Sequence, residues 1–121
     1  MTRGITRLLA ASMMAVSSLT WSGTAYADGD TTGKITKLRV YLNLQQIYIE
    51  MNVPKGGVNP SCATSTVYVG AVTTGHFNGS EIYASLLSAW ATGATIQVIG
   101  EGTCRISSTV EDVKVIRFSA P

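Results

Sequence analysis

Residues 79–104, GSEIYASLLSAWATGATIQVIGEGTC, carry the clearest structural signals in this chain. Asn78 or Ser80 can cap the N-terminus of a helix, because a short polar side chain there accepts a hydrogen bond from the first turn. Gly93 is typical of the residue that follows the last helical turn. The pattern predicts a helix over residues 81–92, followed by a strand that runs to the cysteine.

The predicted helix is apolar over an unusually wide arc. At about 100° per residue, its apolar side chains cover about 220°, whereas an ordinary surface helix needs a stripe of only about 100°. We therefore expect burial on two sides, one against the sheet of the same chain. Either loops or another subunit covers the second side. Ile82, Leu86 and Trp90 are the candidate residues of an oligomer interface.

Residues 1–27 have the three parts of a signal peptide. Arg3 and Arg7 precede the apolar run 8–19, and Ala-Tyr-Ala at 25–27 fits the cleavage pattern. The alternative is a retained membrane anchor, which needs about 20 apolar residues, more than this run supplies. We predict cleavage after Ala27, a secreted or periplasmic protein, and no membrane span in the mature chain.

The mature chain, 28–121, is expected to form a single domain. Both signal-peptide arginines are lost from the 9 Lys and Arg residues on cleavage, while all 7 Asp and Glu residues stay, so the net charge becomes zero. Binding to nucleic acid needs a surplus of positive charge. A nucleic-acid partner is therefore not expected.

Cys62 and Cys104 are the chain's 2 cysteines. In an exported protein an even number of cysteines usually means disulfides, so these two are predicted to pair. The alternative is a redox or metal site, but the C-x-x-C spacing and a neighbouring histidine are both missing. No metal and no cofactor are expected.

Alternation of apolar and polar residues predicts a hairpin from strands at 37–42 and 47–53. Pairing Leu42 with Ile47 would give one wholly apolar face, and would set Arg39 against Glu50 and Tyr41 against Tyr48 on the other. The polar residues 28–32 before the hairpin are expected to be a flexible lead-in.

Further strands are predicted at 66–74, 95–104 and 109–119, with Gly70 marking a bend or a close backbone approach and with a bulge in the last strand. The resulting order places the helix between the third and fourth of five strands. This order predicts a mainly β fold, a five-stranded OB-like Greek-key barrel. The alternative is an open α+β sheet with one helix.

At this level the chain resembles a known family of small exported bacterial proteins. The matching residues are GKI at 33–35, Leu87, TGATIQV at 92–98 and GEGTC at 100–104. They resemble the B subunits of AB5 toxins of the subtilase-cytotoxin and pertussis-like type. The resemblance implies an OB fold, a homo-oligomeric ring with the helices at its centre, and glycan binding on the outer surface. It also implies a hydroxyl residue in the sugar site, either Thr31 or Thr32.

No enzymatic constellation is expected. His76 is the only histidine, and Glu111 and Asp112 are adjacent on a predicted strand, so they would point to opposite faces. Two functions remain: a binding module for a glycan or glycoconjugate, and a structural or inhibitory exported protein that caps a partner protein. The tyrosines at 41, 48 and 68 are compatible with sugar stacking, and they are equally compatible with ordinary strand surfaces.

Overall fold

The structure is a computed structural model that describes residues 28–75 and 78–120. The predicted signal peptide and His76 lie outside the described residues. Strands and helix follow in the predicted order, with the helix between the third and fourth strands. The elements are β1 (Asp30–Tyr41), β2 (Gln46–Met51), β3 (Gly70–Thr73), α1 (Gly79–Thr92), β4 (Thr95–Gly100) and β5 (Val113–Phe118).

The five strands form one antiparallel sheet in the order β3-β2-β1-β4-β5. Near its two edges, Ala71 and Asp112 form an isolated parallel bridge, in which the Ala71 N–H donates to the Glu111 carbonyl oxygen at 2.9 Å. The mainly β fold with one helix is confirmed. The closed OB-like barrel is not confirmed, because the sheet is open. An open sheet with one helix is the alternative fold that the sequence predicts.

β1 is the central strand and is longer than predicted. Its first residues pair with β4, Asp30 opposite Ile99 and Lys34 opposite Thr95, so the expectation of a flexible lead-in at 28–32 is wrong. The register with β2 shifts at Thr36, where a β-bulge adds one residue. A bulge reverses the alternation of faces along a strand. One strand thus serves two differently oriented halves of the sheet.

The hairpin of β1 and β2 forms, but its predicted register is wrong by two residues. Val40 lies opposite Ile47 and Leu38 opposite Ile49. Leu42, predicted to pair, instead lies in the turn with 86% of its surface exposed. A shift of two residues leaves every side chain on the same face, so the apolar face of the hairpin still packs against the core.

α1 begins two residues before the predicted start and ends where the sequence predicts. Gly93 adopts a left-handed φ of 66°, and its N–H donates to the Trp90 carbonyl oxygen. Asn78 occupies the N-cap position without a capping bond from its side chain. Leu86 is completely buried in the core. The largest fully buried side chains are Ile47, Ile49, Leu86 and Ile96.

The predicted disulfide is confirmed: Cys62 and Cys104 are bonded, with their Cα atoms 6.1 Å apart. The bond joins the loop before β3 to the loop between β4 and β5. Gly70 is a point of close approach, but the group that approaches it is the Val113 side chain and not backbone, since a Cβ at Gly70 would collide with that side chain. The predicted bulge in β5 is also present, since the register with β4 shifts at Lys114.

Candidate functional site

Three tyrosines meet on the outer face of the sheet. The ring centroids of Tyr41 and Tyr48 are 5.1 Å apart, and those of Tyr48 and Tyr68 are 5.3 Å apart. These spacings are typical of favourable tilted aromatic pairs. Together with Arg39 these residues are called the tyrosine surface. It is a continuous row of rings rather than three scattered side chains.

The register of the strands builds this row. Arg39, not Tyr41, lies directly opposite Tyr48, so the predicted direct Tyr41–Tyr48 pair is replaced by a diagonal one. Tyr68 is brought in by the segment before β3, where the Val69 N–H donates to the Ile49 carbonyl oxygen at 2.9 Å. Contact between the rings therefore depends on pairing between distant segments.

Polar contacts fix the centre of the row. The Tyr48 hydroxyl donates to Oε1 of Gln46 at 2.9 Å, and Nε2 of Gln46 donates to the Ile106 carbonyl oxygen at 3.0 Å. These two hydrogen bonds connect the Tyr48 ring, which is the central ring of the row, to the loop between β4 and β5. A ring held in place loses little freedom when a ligand stacks on it.

Arg39 adds a positive charge to the tyrosine surface. Its Cζ lies 5.4 Å from the Tyr68 ring centroid, within the range of a cation–π contact. Nη1 of Arg39 donates to the Tyr41 hydroxyl at 3.4 Å, and this hydrogen bond raises the pKa of the guanidinium above its ordinary value. The guanidinium therefore stays charged. The predicted cross-strand pair of Arg39 with Glu50 is wrong, because Lys37 lies opposite Glu50.

A pocket of about 450 Å³ lies between β2, the bulge of β1 and the segment before β3. We call it the Glu50 pocket. Nζ of Lys37 lies 3.4 Å from Oε2 of Glu50, on the side of the sheet that carries the tyrosines. Polar and apolar groups both line the pocket, among them Thr36, Glu50, Asn52, Lys55, Thr66 and Val67.

The two predicted sugar-binding threonines lie in the first half of β1, before the bulge. Thr31 is buried, and its Oγ1 accepts a hydrogen bond from the Gly56 N–H at 3.0 Å. Thr32 is exposed and lies opposite Gln97 of β4. The tyrosine surface lies beyond the bulge, so the structure does not bring the threonines into it.

The three predicted interface residues of α1 differ in exposure. Leu86 is fully buried, and Ile82 is half-buried beside a groove between α1 and β5. Trp90 is 43% exposed. Leu87, which is half-buried, lies one turn before Trp90, and the exposed Ala91 directly follows it. Apolar side chains therefore remain at the surface of the helix.

Glu111 is a buried carboxylate that fastens two distant segments. The Gly29 N–H donates to both of its oxygens, at 3.0 and 3.2 Å, and the Gly102 N–H donates to Oε1 at 3.1 Å. Gly100 leaves room for this carboxylate, because a Cβ there would collide with it. The prediction that Glu111 and Asp112 alternate on a strand is wrong: both precede β5 and both are buried.

Asp112 organises the loop between β4 and β5. Burial raises its pKa, but hydrogen bonds from the N–H groups of Ile106 and Arg105 and from the Thr103 hydroxyl, together with the Arg105 charge, outweigh burial. The net effect is a pKa below the ordinary value. These bonds are 2.7 to 2.9 Å long. The carboxylate is fully engaged in holding the loop.

Within residues 28–75 and 78–120, no group of three or more His, Cys, Asp or Glu side chains is placed to hold a metal ion. No helix in this part of the chain is long and apolar enough to cross a membrane. Comparisons of the chain with protein-family models, with curated proteins and with solved structures found no match.

Proposed function

We propose that this protein is an exported, non-enzymatic binding module that recognises a glycan through the tyrosine surface. The observation that carries the proposal is the continuous row of Tyr41, Tyr48 and Tyr68, with centroids 5.1 and 5.3 Å apart. Sugar rings present apolar C–H faces, which stack on aromatic rings, and hydroxyls, which need polar partners. Arg39 and the neighbouring Glu50 pocket supply such partners.

The fold that we propose for this module is of the OB type, as the resemblance to AB5 toxin B subunits implies. The strand order, the parallel Ala71–Asp112 bridge and the bulge at Thr36 support it. In OB folds the face of strands 2 and 3 binds oligonucleotides and oligosaccharides. Tyr48 lies on β2 and Tyr68 just before β3, so the tyrosine surface occupies the corresponding face.

Secretion or periplasmic export forms part of the proposal. The signal-peptide pattern at 1–27 supports it, and the Cys62–Cys104 disulfide suits an oxidising compartment. A neutral mature chain gives no general attraction to nucleic acid, so the proposed partner is recognised by its shape and hydroxyl groups.

A glycan array screened with the protein purified from expression of the full-length chain tests the proposal. Tyr41→Ala and Tyr68→Ala should each weaken binding roughly fivefold, because loss of one aromatic contact costs about 1 kcal/mol. Phe118→Ala is the matched control, since Phe118 is an aromatic residue 46% exposed on β5. Binding to no glycan, or binding that tolerates both tyrosine changes, would refute the proposal.

Self-association through α1 is the second part of the proposal, and the exposed Trp90 beside Leu87 supports it. Apolar side chains on the outer side of a helix favour contact with another protein surface. A second copy is the occupant that the resemblance implies, and the alternative is capping of a different partner protein. Light scattering should give a mass above one chain, which Trp90→Ala lowers. A mass of one chain for both proteins would contradict self-association.

A further inference from the structure

We propose that the Glu50 pocket is the subsite that selects the ligand, and that it takes an uncharged, hydroxyl-bearing sugar unit whose hydroxyls donate to the Glu50 carboxylate. The inference rests on the proposed glycan binding at the tyrosine surface. The inference goes beyond that proposal in two respects: it names the chemical class of the selected sugar unit, and it names the residue that selects it.

The pocket adjoins the tyrosine surface at two points. Glu50 follows Tyr48 by two residues on β2, so the two side chains lie on the same face of the strand. Val67, which lines the pocket, directly precedes Tyr68. A sugar chain stacked on the tyrosines therefore reaches the pocket with its next unit. A volume of about 450 Å³ is within the usual range for small-ligand sites.

One acceptor of the pocket is left for a ligand group that donates. Nζ of Lys55 already donates to the Ala63 carbonyl oxygen at 2.8 Å, and Oδ1 of Asn52 accepts the Lys34 N–H at 2.8 Å. Among the described residues, Oε2 of Glu50 is a buried oxygen that accepts no hydrogen bond, although the Lys37 ammonium lies 3.4 Å away. The ligand group that fits this oxygen is a hydroxyl donor.

Lys37 does not close this subsite. Its side chain is 58% exposed, whereas that of Glu50 is 27% exposed. An exposed lysine holds an ion pair weakly and can swing into water when a ligand arrives. At the Glu50 carboxylate an acidic group would meet repulsion, while a hydroxyl would gain a charge-assisted hydrogen bond. The positive charge of Lys55, which also lines the pocket, is held at the Ala63 carbonyl oxygen. The pocket should therefore favour uncharged units.

The test compares Glu50→Gln with wild type on immobilised lactose-based glycans and on their sialylated counterparts. Glu50→Gln keeps the shape and removes the charge, and it should weaken binding to the uncharged glycans about tenfold. Lys37→Met is the matched control, because it breaks the same ion pair and keeps the carboxylate; its binding should equal or exceed that of wild type. Thr66→Trp, which fills the pocket with the carboxylate intact, should abolish binding and serves if Glu50→Gln fails to fold.

Four results would overturn the inference. Equal losses for Glu50→Gln and Lys37→Met would assign the effect to the ion pair. Binding of sialylated glycans alone, strengthened by Glu50→Gln, would reverse the proposed selectivity. Binding that is weakened in Tyr68→Ala but unchanged in Glu50→Gln and Thr66→Trp would remove this subsite and leave the tyrosine surface standing. Wild-type protein that binds no glycan would remove both proposals together.

Discussion

Replacing Glu111 with alanine is expected to lower the free energy of unfolding by about 3 kcal/mol or more, since two buried backbone donors would lose their acceptor. The Gly29 N–H lies 3.0 Å from Oε1 of Glu111 and the Gly102 N–H lies 3.1 Å from it. Each unsatisfied buried donor costs about 1 to 3 kcal/mol. The substitution thus frees both the start of the described chain and the loop after β4.

Urea unfolding at neutral pH measures this loss as a lower midpoint at an unchanged slope. In thermal unfolding the same loss corresponds to a Tm roughly 12 to 24 °C lower for a domain of this size. Glu101→Ala is the control, because its carboxylate makes a surface ion pair with Arg105 at 3.1 Å, and such pairs contribute about 1 kcal/mol or less. Equal losses in the two variants would refute the hydrogen-bond explanation. Adding Gly100→Ala to Glu111→Ala should refill the space without restoring stability, so recovery would show that an empty cavity had caused the loss.

Three further perturbations test other parts of the fold. Replacing both Cys62 and Cys104 with alanine should lower the free energy of unfolding by about 4 kcal/mol, because the bond closes a span of 42 residues; an unchanged urea midpoint would contradict this. Gly70→Ala should destabilise by about 1 to 3 kcal/mol through collision with Val113, and Val113→Ala should relieve part of that; a double-mutant cycle with purely additive losses would speak against the close approach. The lowered pKa of Asp112 contributes stability that is present above its unfolded value of about 3.9 and is lost as the pH falls through the folded value. Urea unfolding between about pH 5 and pH 2 should therefore show a pH dependence that Asp112→Asn reduces, and an equal dependence in both proteins would exclude this role.

Features with local signals were predictable from the sequence. The end of α1 at Gly93 follows from the left-handed backbone that glycine allows, and the disulfide follows from a count of two cysteines in a chain that is expected to be exported. The bulge in β5 was visible as a change in the parity of its apolar residues. The signals for the helix end and for the bulge lie within a few residues of the feature, whereas the disulfide follows from a count over the whole chain.

Features that depend on distant partners were missed. The hairpin register could not be read from the apolar pattern, because a shift of two residues leaves the same side chains on the same face. Residues Asp30 and Thr31 have no apolar alternation of their own, and they become a strand by pairing with β4. Glu111 gave no signal of burial, because its donor at Gly29 lies 82 residues away in the chain.

The candidate site was predictable only in its parts. Tyr41, Tyr48 and Tyr68 could be assigned to strand surfaces from the alternation alone. Their contact depends on the actual register and on the path of the segment before β3, neither of which has a sequence signal. The position of Glu50 beside this row follows from the same pairing.

The extra residue at Thr36 determines which side chains of β1 face the core on either side of the bulge. Before it, Thr31 and Ile35 face inward at odd positions; after it, the odd positions Arg39 and Tyr41 face outward. Deletion of Thr36 itself would remove the bulge and keep both faces, because Ile35 and Lys37 pair with the consecutive residues Met51 and Glu50. Deletion of one residue more would turn Arg39 and Tyr41 toward the core and expose apolar side chains instead, because no extra residue would be left to absorb it. Related sequences that retain the tyrosine surface should therefore tolerate loss of the extra residue but not loss of one residue more.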